Sequence, residues 1–447
     1  MWPAPVGGLQ ATTLAVLHEL EHSQYLPRDE VRARQYRQLG PLVAHAARHM
    51  KFWRERFRGA GIDPAAPIDD ETWARLPILS RTEVQTAGAA LHCSTLPTQH
   101  GETTTDKTSG STGVPLIVKR SAIDLFYWSV FTLREEMWHG RDLSGKLAAI
   151  RADFSRPPGH VGPWAKIHPN WGPPLATHYP TGPGGLFDIR SSTADQIAWL
   201  RDFAPDYLLS FGLNLQILAR HCLAHGITLP RLKGVRSSGE VLTDEARAAC
   251  RQAWGVEVAD MYSAVETGYI ALQCPEGGRL HAQSESALVE VVDDDGRACA
   301  AGAIGRVVVT PLHNFAMPLI RYAIGDLAEV GEACACGRTL PVLARVLGRV
   351  RDALALPGGA RRYPYYGNKA IAEVPSIVQH QLIQKSLDAI EVRLVARAPL
   401  SADQEDALRR ALATALGHPF DIAIVYVDAI ERSPSGKFAE FRSEVEN

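Results

Sequence analysis

The spacing of apolar residues predicts helices near the start of the chain. Between residues 12 and 60 apolar positions recur three or four apart, for example at Leu39 and Leu42. This period places the side chains on one face of a helix. Because proline lacks a backbone N–H and clashes with the preceding turn, Pro27 and Pro41 are predicted to divide the region into separate helices.

The middle of the chain alternates short apolar runs with helical segments. Thr243 and Gly255 have the residue types expected at the start and the end of one such helix. Alternation of this kind is typical of an α/β fold with layered, mostly parallel sheets. The predicted strands are KLAAIRA (146–152), DYLLSF (206–211), GVRSS (234–238) and EVADMY (257–262).

Two later regions have a different pattern. Residues 287–310 read as a β hairpin with an Asp-Gly turn, and a small α+β module follows the segment LGRVRD. We therefore predict a large N-terminal domain, 1–348, that includes a β subdomain around 274–336. The remaining residues, 349–447, are predicted to form a small mobile C-terminal domain.

Residues 156–185 contain eight prolines and six glycines, together with Trp164 and Trp171. Such a segment is neither a central strand nor a regular helix. Long loops of this kind are often lids or binding loops, and an ordinary surface excursion is the alternative. The two indoles favour an aromatic or flat substrate.

Composition narrows the class of protein. The 447 residues are 46% hydrophobic and 21% charged, with a formal charge of −2, which gives no basic field for nucleic acid or an acidic membrane surface. No apolar run approaches the roughly 18 residues that span a bilayer, and the N-terminus does not resemble a signal peptide. Seven cysteines, an odd number in a long chain, argue against a disulfide framework and for the reducing cytoplasm.

The segment TSGSTG, from Thr108 to Gly113, is the first candidate for chemistry. Glycines allow backbone N–H groups to approach an anion closely, and hydroxyl groups add further donors, so the segment suits a polyphosphate. It is not a Walker loop, because the pattern G-x-x-x-x-G-K-[ST] is absent. Taken alone, it is also compatible with a flexible Ser/Gly linker.

Further segments follow in a fixed order, and together they resemble the adenylate-forming superfamily of acyl-CoA synthetases and adenylation domains. The short length and helical start look most like the phenylacetate–CoA ligase branch, including its capsule-biosynthesis-like relatives. The segments that carry the resemblance are TSGSTGVP (108–115), SSGEVLT (237–243), MYSAVETG (261–268), RYAIGDLAEV (321–330), LGRVRD (347–352) and RSPSGKF (432–438).

The resemblance implies ATP and Mg²⁺ as ligands and assigns roles to residues. Catalytic roles fall to Thr108, to Glu266 as the Mg²⁺ ligand, and to Lys437, which would contact the acyl carboxylate and the α-phosphate. The implied nucleotide-binding residues are Ser109, Gly110, Ser111, Thr112 and Gly113 around the phosphates, Ser238, Gly239, Glu240 and Tyr262 at adenine, and Asp326 and Arg349 at the ribose.

The sequence departs from the family pattern at several positions. Val114 and Leu116 stand where most members carry a lysine, and Val265 replaces the hydroxyl residue before the glutamate. Arg351 replaces the first acidic residue of the hinge. Lys119 is the alternative cation for the triphosphate, or else an ordinary solvated lysine, and Thr267 is the alternative hydroxyl group.

Cys274, His281, Cys334 and Cys336 form a second candidate site. Thiolates and imidazole are zinc ligands, and four of them close a tetrahedral structural site. Cys274 and His281 precede the predicted β region, and Cys334 and Cys336 follow it. A hairpin can therefore bring the two pairs together. The alternative is four unrelated residues, with the buried thiols acting as small hydrophobes, as we expect for the other cysteines.

The predicted function is ATP-dependent activation of a carboxylic acid through an acyl adenylate, with pyrophosphate release and transfer to CoA. Two alternatives remain open: transfer to an amine or carrier protein, and a catalytically lapsed nucleotide-binding protein. The segment ALPGGARRYPYYGNKA departs from the branch pattern and weakens the CoA reading. No nucleic-acid or membrane partner is expected, and a homodimer is compatible with all three functions.

Overall fold

The computed structural model divides the chain into two compact units. The first unit contains residues 1–145, 168–183 and 260–346, and the second contains 146–167, 184–259 and 347–447. The residues that the structure describes are 7–108, 115–157, 159–349, 354–358, 361–362, 370–371, 374, 376–430 and 440–445.

The N-terminal part of the first unit is helical, as the apolar spacing predicts. Pro27 directly precedes the second helix, whereas Pro41 lies inside it, so the prediction that Pro41 separates two helices was wrong. Leu39 and Leu42 flank Pro41 and are fully buried, and their packing outweighs the lost backbone hydrogen bond. The helices are α1 (Gly8–Ser23), α2 (Arg28–His49), α3 (Lys51–Gly59), α4 (Asp70–Arg75), α5 (Arg81–Ala87) and α6 (Ala122–Trp138).

The β structure of the first unit consists of a hairpin and a larger sheet. The hairpin pairs β1 (Thr103–Lys107) with β2 (Ile117–Ser121), and the sheet runs in the order β11-β12-β13-β14-β10-β9-β8. Helices α2 and α3 share one apolar core with this sheet. The sheet strands are β8 (Val258–Ala264), β9 (Gly268–Gln273), β10 (Leu280–Ala282), β11 (Ala287–Val292), β12 (Ile304–Pro311), β13 (Tyr322–Val330) and β14 (Val342–Arg349).

The second unit contains the predicted parallel strands. They are ordered β7-β6-β3-β5-β4, and β3, β5, β6 and β7 pair in parallel. The predicted helix before β8 is present, because the Thr243 hydroxyl group accepts from the Ala246 N–H and Gly255 ends the helix in the left-handed conformation. The elements are β3 (Leu147–Arg151), β4 (Ala165–His168), β5 (Gly184–Asp188), α8 (Thr193–Phe203), β6 (Tyr207–Ser210), α9 (Gly212–His225), β7 (Gly234–Ser238) and α10 (Asp244–Trp254).

The C-terminal part of the second unit is the predicted α+β module with its own apolar core. Its four-stranded sheet has the order β19-β18-β17-β20. A capping box formed by Ser401 and Gln404 begins its helix. The elements are β15 (Leu354–Ala355), β16 (Arg361–Arg362), β17 (Ile377–Gln384), β18 (Ala389–Ala396), α11 (Ala402–Leu416), β19 (Asp421–Tyr426) and β20 (Phe441–Ser443).

The proline-rich segment is fastened at both of its tryptophans. Besides β4, it contains one helical turn, α7 (Leu175–His178). In the second unit the Trp164 indole N–H donates to the Asp153 carboxylate at 2.8 Å. In the first unit the Trp171 indole N–H donates to the Gly145 carbonyl at 2.8 Å. Both indole N–H groups therefore have partners within the protein.

Candidate active site and metal centre

The hairpin of β1 and β2 fixes the two ends of the predicted phosphate loop. The Thr108 N–H donates to the Leu116 carbonyl at 3.0 Å, and the Leu116 N–H donates to Thr108 Oγ1 at 2.9 Å. Thr108 thus closes the loop at its base. The other predicted loop residues lie outside the described residues, as does Lys437; they are Ser109, Gly110, Ser111, Thr112 and Gly113.

Arg81 is the cation at this base, and the sequence analysis missed it. It is the first residue of α5, whose start is fixed by a capping box between Ser80 and Glu83. Just before it, Leu79 exchanges backbone hydrogen bonds with residues 321 and 323 beside β13. The pattern S-x-x-E in the sequence signals the helix start. Nothing local signals that the arginine reaches a glycine-rich loop.

The guanidinium group of Arg81 links three elements. It lies 3.3 Å from Glu266 Oε1, 3.5 Å from Thr108 Oγ1 and 3.5 Å from the Tyr322 hydroxyl group. Glu266, in the turn between β8 and β9, is only 5% exposed. A buried carboxylate needs a cation or a metal ion, and Arg81 meets that need here.

A second side-chain contact joins strands β8 and β13. The Tyr262 hydroxyl group on β8 donates to Asp326 Oδ2 on β13 at 2.7 Å. The predicted adenine residue and the predicted ribose residue are thus joined to each other. We call the five residues Arg81, Thr108, Tyr262, Glu266 and Asp326 the polar corner; all belong to the first unit.

The structure gives the surroundings of the residues at which the sequence departs from the family pattern and of their possible replacements. Lys119 Nζ, which is partly exposed, donates to the Cys93 carbonyl at 3.0 Å, whereas Arg81 contacts Thr108 at the loop base. The Val265 side chain is 37% exposed. The Thr267 hydroxyl group is buried and has no hydrogen-bond partner among the described residues.

The predicted adenine segment of the second unit forms a tight turn after β7. Gly239 has a φ of 80°, a left-handed conformation that favours glycine. Glu240 Oε2 accepts from the Leu213 N–H at the start of α9 at 3.4 Å, which fixes the turn after Ser238. Arg349 is the last residue of β14.

The second predicted site is assembled in the first unit. The ligand atoms of Cys274, His281, Cys334 and Cys336 all lie within 4.8 Å of one another. His281 is fully buried, and burial lowers the pKa of this imidazole to about 4, so that it is neutral. We call these four residues the Cys–His cluster.

The backbone around the Cys–His cluster suits a metal-binding turn. The Gly277 N–H points to Cys274 Sγ at 3.4 Å, and a Cβ atom at position 277 would lie 2.2 Å from Cys334 Sγ. His281 Nδ1 faces the Leu340 carbonyl at 3.4 Å, while Nε2 lies 3.4 Å from Cys336 Sγ. This arrangement leaves Nε2 for a metal, as in sites where the other ring nitrogen contacts a carbonyl.

The residues that follow the Cys–His cluster contact the N-terminal helices. Arg338, two residues after Cys336, donates to the Glu276 carboxylate at 2.8 Å and to the Gln24 side chain at 3.0 Å. Thr339 donates its hydroxyl hydrogen to the Leu26 carbonyl at 2.5 Å. Arg338 and Thr339, which follow Cys336 closely, therefore hold the connection between α1 and α2.

Known proteins resemble this chain over most of its length. A phenylacetate–coenzyme A ligase of Thermus thermophilus is 27% identical over 393 residues, which cover 84% of this chain and 83% of that protein. The ligase of the same name from Aromatoleum evansii is 24% identical and covers 94% of this chain and 96% of its own length. Residues 366–443 match the family described as the CapK C-terminal domain.

Solved structures share the fold. A 2-hydroxyisobutyryl-CoA ligase in the postadenylation state superposes with a TM-score of 0.73 and 20% identity, covering 94% of this chain and 91% of that one. The amide bond synthetase McbA of Marinactinospora thermotolerans has a TM-score of 0.51 and 17% identity, covering 74% and 66%. The predicted α/β fold is confirmed. The chain is thus similar to phenylacetate–CoA ligases of the adenylate-forming superfamily over most of its length, and its C-terminal part matches the CapK C-terminal domain.

Proposed function

We propose that this protein activates a carboxylic acid with ATP and transfers the acyl group to CoA. The observation that carries the proposal is the polar corner: a cation, a buried carboxylate and a hydroxyl group meet at the base of a glycine-rich loop. The relatives named phenylacetate–coenzyme A ligase support an aromatic acid as substrate. The predicted domain boundary at residues 348/349 is part of the same proposal.

The reaction proceeds in two displacements. First, a carboxylate oxygen attacks the α-phosphorus of ATP, and the bond to the bridging oxygen breaks to release pyrophosphate. Then the CoA sulfur, as its thiolate, attacks the acyl carbon, and AMP leaves with the bonding electrons. Both partners of the first step are anions, so positioning and charge stabilisation provide most of the catalysis.

Arg81 has the role of the lysine that the loop lacks. Its guanidinium group is permanently charged and offers several donors in a plane, which suits phosphate oxygens. When the triphosphate binds, Arg81 turns from Glu266 toward the phosphates. Glu266 would then be free to hold Mg²⁺, a hard cation that prefers carboxylate and phosphate oxygens. The pair of Arg81 and Glu266 is therefore the resting form of two ligand-binding groups.

The remaining residues position the nucleotide and the acyl group. Asp326 accepts from the ribose hydroxyl groups, and Tyr262 keeps the carboxylate oriented through their 2.7 Å hydrogen bond. Ser238, Gly239 and Glu240 bind adenine, and Arg349 assists at the ribose. Lys437 contacts the acyl carboxylate and the α-phosphate, a role that rests on the family resemblance alone.

We also propose that the Cys–His cluster binds a structural Zn²⁺. Three sulfur atoms and one neutral imidazole are a zinc donor set, and bonds of about 2.0–2.3 Å require only that the four atoms close slightly. A four-ligand site leaves no position for substrate, so the metal stabilises the fold and takes no part in the transfer. Metal analysis of protein never exposed to chelator is expected to give one zinc per chain.

Pyrophosphate release with a panel of acids tests the main proposal. Phenylacetate and related aryl acids are expected to give the highest rates, with aliphatic acids as the comparison. Trapping the adenylate with CoA, hydroxylamine or a small amine separates transfer to thiol from transfer to nitrogen. ATP binding without pyrophosphate release for any acid would instead support the lapsed nucleotide-binding protein.

A further inference from the structure

A cavity of about 480 Å³ in the first unit lies among residues that the proposed function does not use. One wall is a face of α2 and carries His45, Arg48 and His49. Another wall is the short 3₁₀ turn at Thr98–His100, which ends in His100, and the Phe315 ring also lines the cavity. Three imidazoles therefore face one space.

The imidazoles are held in place by ring packing. The Phe315 ring packs against two of them, with ring centroids 5.0 Å from His45 and 4.3 Å from His100. His49 follows His45 by one helical turn, with 4.8 Å between the ring centroids. Ring packing thus links the three imidazoles through His45 and Phe315.

Two buried ring nitrogens lack a hydrogen-bond partner among the described residues. His100 is 8% exposed, and both its Nδ1 and His45 Nε2 are buried with no hydrogen-bond partner among the described residues. An unsatisfied buried polar group of this kind costs about 1–3 kcal/mol. A ligand whose oxygen atoms reach these two nitrogens would recover that free energy.

The charge of the lining identifies the class of ligand. The described lining residues include Arg48 and three histidines and no aspartate or glutamate. Arg48 has no ion pair within the part of the chain that the structure describes. In that same part, the metal-binding groups of three or more residues comprise the Cys–His cluster alone, so the histidines do not form such a group. An anion fits this lining, and a metal cation does not.

We infer that this cavity binds a small organic oxyanion, a phosphate or sulfate monoester whose apolar part lies against Phe315. Arg48 pairs with the charge, and His45 and His100 donate to the ester oxygens. The inference is independent of the proposed function, since none of these residues belongs to the polar corner. Aromatic rings in the cavity lining suit a ligand with a flat apolar group.

Binding is expected to take up protons. Burial lowers the pKa of both His45 and His100, so both are neutral at pH 7 without ligand. An adjacent anion favours the charged imidazole, so its affinity rises as the pH falls. The groups that face these rings are His49, Arg48 and, behind His100, the buried His313, whose pKa burial holds at about 4.

Calorimetric titration of the full chain with phenyl phosphate and phenyl sulfate tests the inference. Phenyl sulfate keeps one charge across pH 6–8, so a change in its affinity reports the protein groups. We expect saturable binding that tightens at least about tenfold from pH 8 to pH 6, where uptake of one proton allows at most about tenfold per pH unit. Excess ATP is expected to leave the affinity unchanged.

Variants locate the site. Arg48→Met and His100→Leu are each expected to weaken phenyl sulfate binding about tenfold, the loss of one charge-assisted hydrogen bond. The matched control replaces His18 and His22 with glutamine; they are an adjacent i,i+4 pair on α1, with Nε2 atoms 3.2 Å apart and no place in the cavity lining. Arg48 is exposed, so its variant decides the outcome if His100→Leu does not fold.

Three results would overturn the inference. The first is the absence of saturable binding at millimolar ligand. The second is wild-type affinity in Arg48→Met, and the third is displacement of the ligand by ATP, which would place it in the nucleotide site. Imidazole ¹⁵N spectra of the wild-type protein provide a further check, because ligand must shift the signals of His45 and His100.

Discussion

The polar corner and the Cys–His cluster lie in the same unit and differ in how completely their charges are satisfied. In the cluster, four ligand atoms face one another and a glycine gives them room, so the site is closed. In the corner, Arg81 and Glu266 neutralise each other at 3.3 Å, although both are groups that suit a bound nucleotide and its Mg²⁺. The cluster is therefore suited to a permanently bound metal ion. The corner is suited to groups that change partners when a nucleotide binds.

The comparison explains why one site was easier to predict. Few residue types bind zinc, so four candidate ligands that flank one β region can be recognised in the sequence. Arg81 comes from a separate N-terminal helix, and arginine is common on helices. We therefore expect substitutions in the corner to change catalysis with little effect on stability, and substitutions in the cluster to do the reverse.

Lys437→Ala gives the largest expected loss and tests whether the corner is sufficient without this lysine. Removing a charge that acts in the transition state costs about 3–4 kcal/mol, or roughly 10²–10³ in the rate of pyrophosphate release. Transfer from preformed acyl adenylate to CoA should be much less affected. Equal losses in both steps would show that Lys437 supports structure, and no loss in either would mean that the motif match is accidental.

Arg81→Met is expected to lower kcat/KM for pyrophosphate release by about 10–100-fold, which corresponds to one or two lost charged hydrogen bonds. Arg81→Lys should recover part of the activity, since it keeps the charge but not the planar fork. Lys119→Met is the matched control, because Lys119 donates to the Cys93 carbonyl instead. If Arg81→Met and Lys119→Met behave alike, the corner is not the phosphate site.

Cys336→Ser tests the other side of the comparison. It should remove zinc and lower the free energy of unfolding by about 2 kcal/mol, while kcat at a temperature where the variant is folded stays close to the wild-type value. Gly277→Ala should act in the same direction, because its methyl group would meet Cys334 Sγ. Cys299→Ser is the control outside the cluster. A zinc content unchanged by Cys336→Ser contradicts the assignment.

Tyr262→Phe has the smallest expected effect and sharpens the description of the corner. It removes one hydrogen bond to Asp326, worth about 1 kcal/mol, and should raise the KM for ATP about fivefold with little change in kcat. Tyr269→Phe is the control, since that hydroxyl group pairs with Thr132 at 2.9 Å, away from Asp326. Equal KM values for the two variants would mean that the tyrosine does not orient the ribose carboxylate.

Local sequence was sufficient for much of the fold. Strands such as GVRSS and the helix between Thr243 and Gly255 were predicted within a residue or two, because apolar period and capping chemistry act over neighbouring residues. The four residues of the Cys–His cluster were identified from their types alone, since thiols and imidazoles carry metal-binding chemistry. At Pro41 the local preference of proline for helix ends gave a wrong prediction. Burial of Leu39 and Leu42 stabilises the helix through this position.

The sequence by itself determined most of the elements of this protein, the glycine-rich motif at 108–113 and the residues of the Cys–His cluster. The tertiary structure alone decided that Arg81 joins Thr108 and Glu266, that Lys119 does not, and that three histidines surround one cavity. These contacts join segments far apart in the chain, such as positions 81 and 266 or 45 and 315. A side chain's partners depend on how distant segments pack, and no periodicity or local motif encodes that packing.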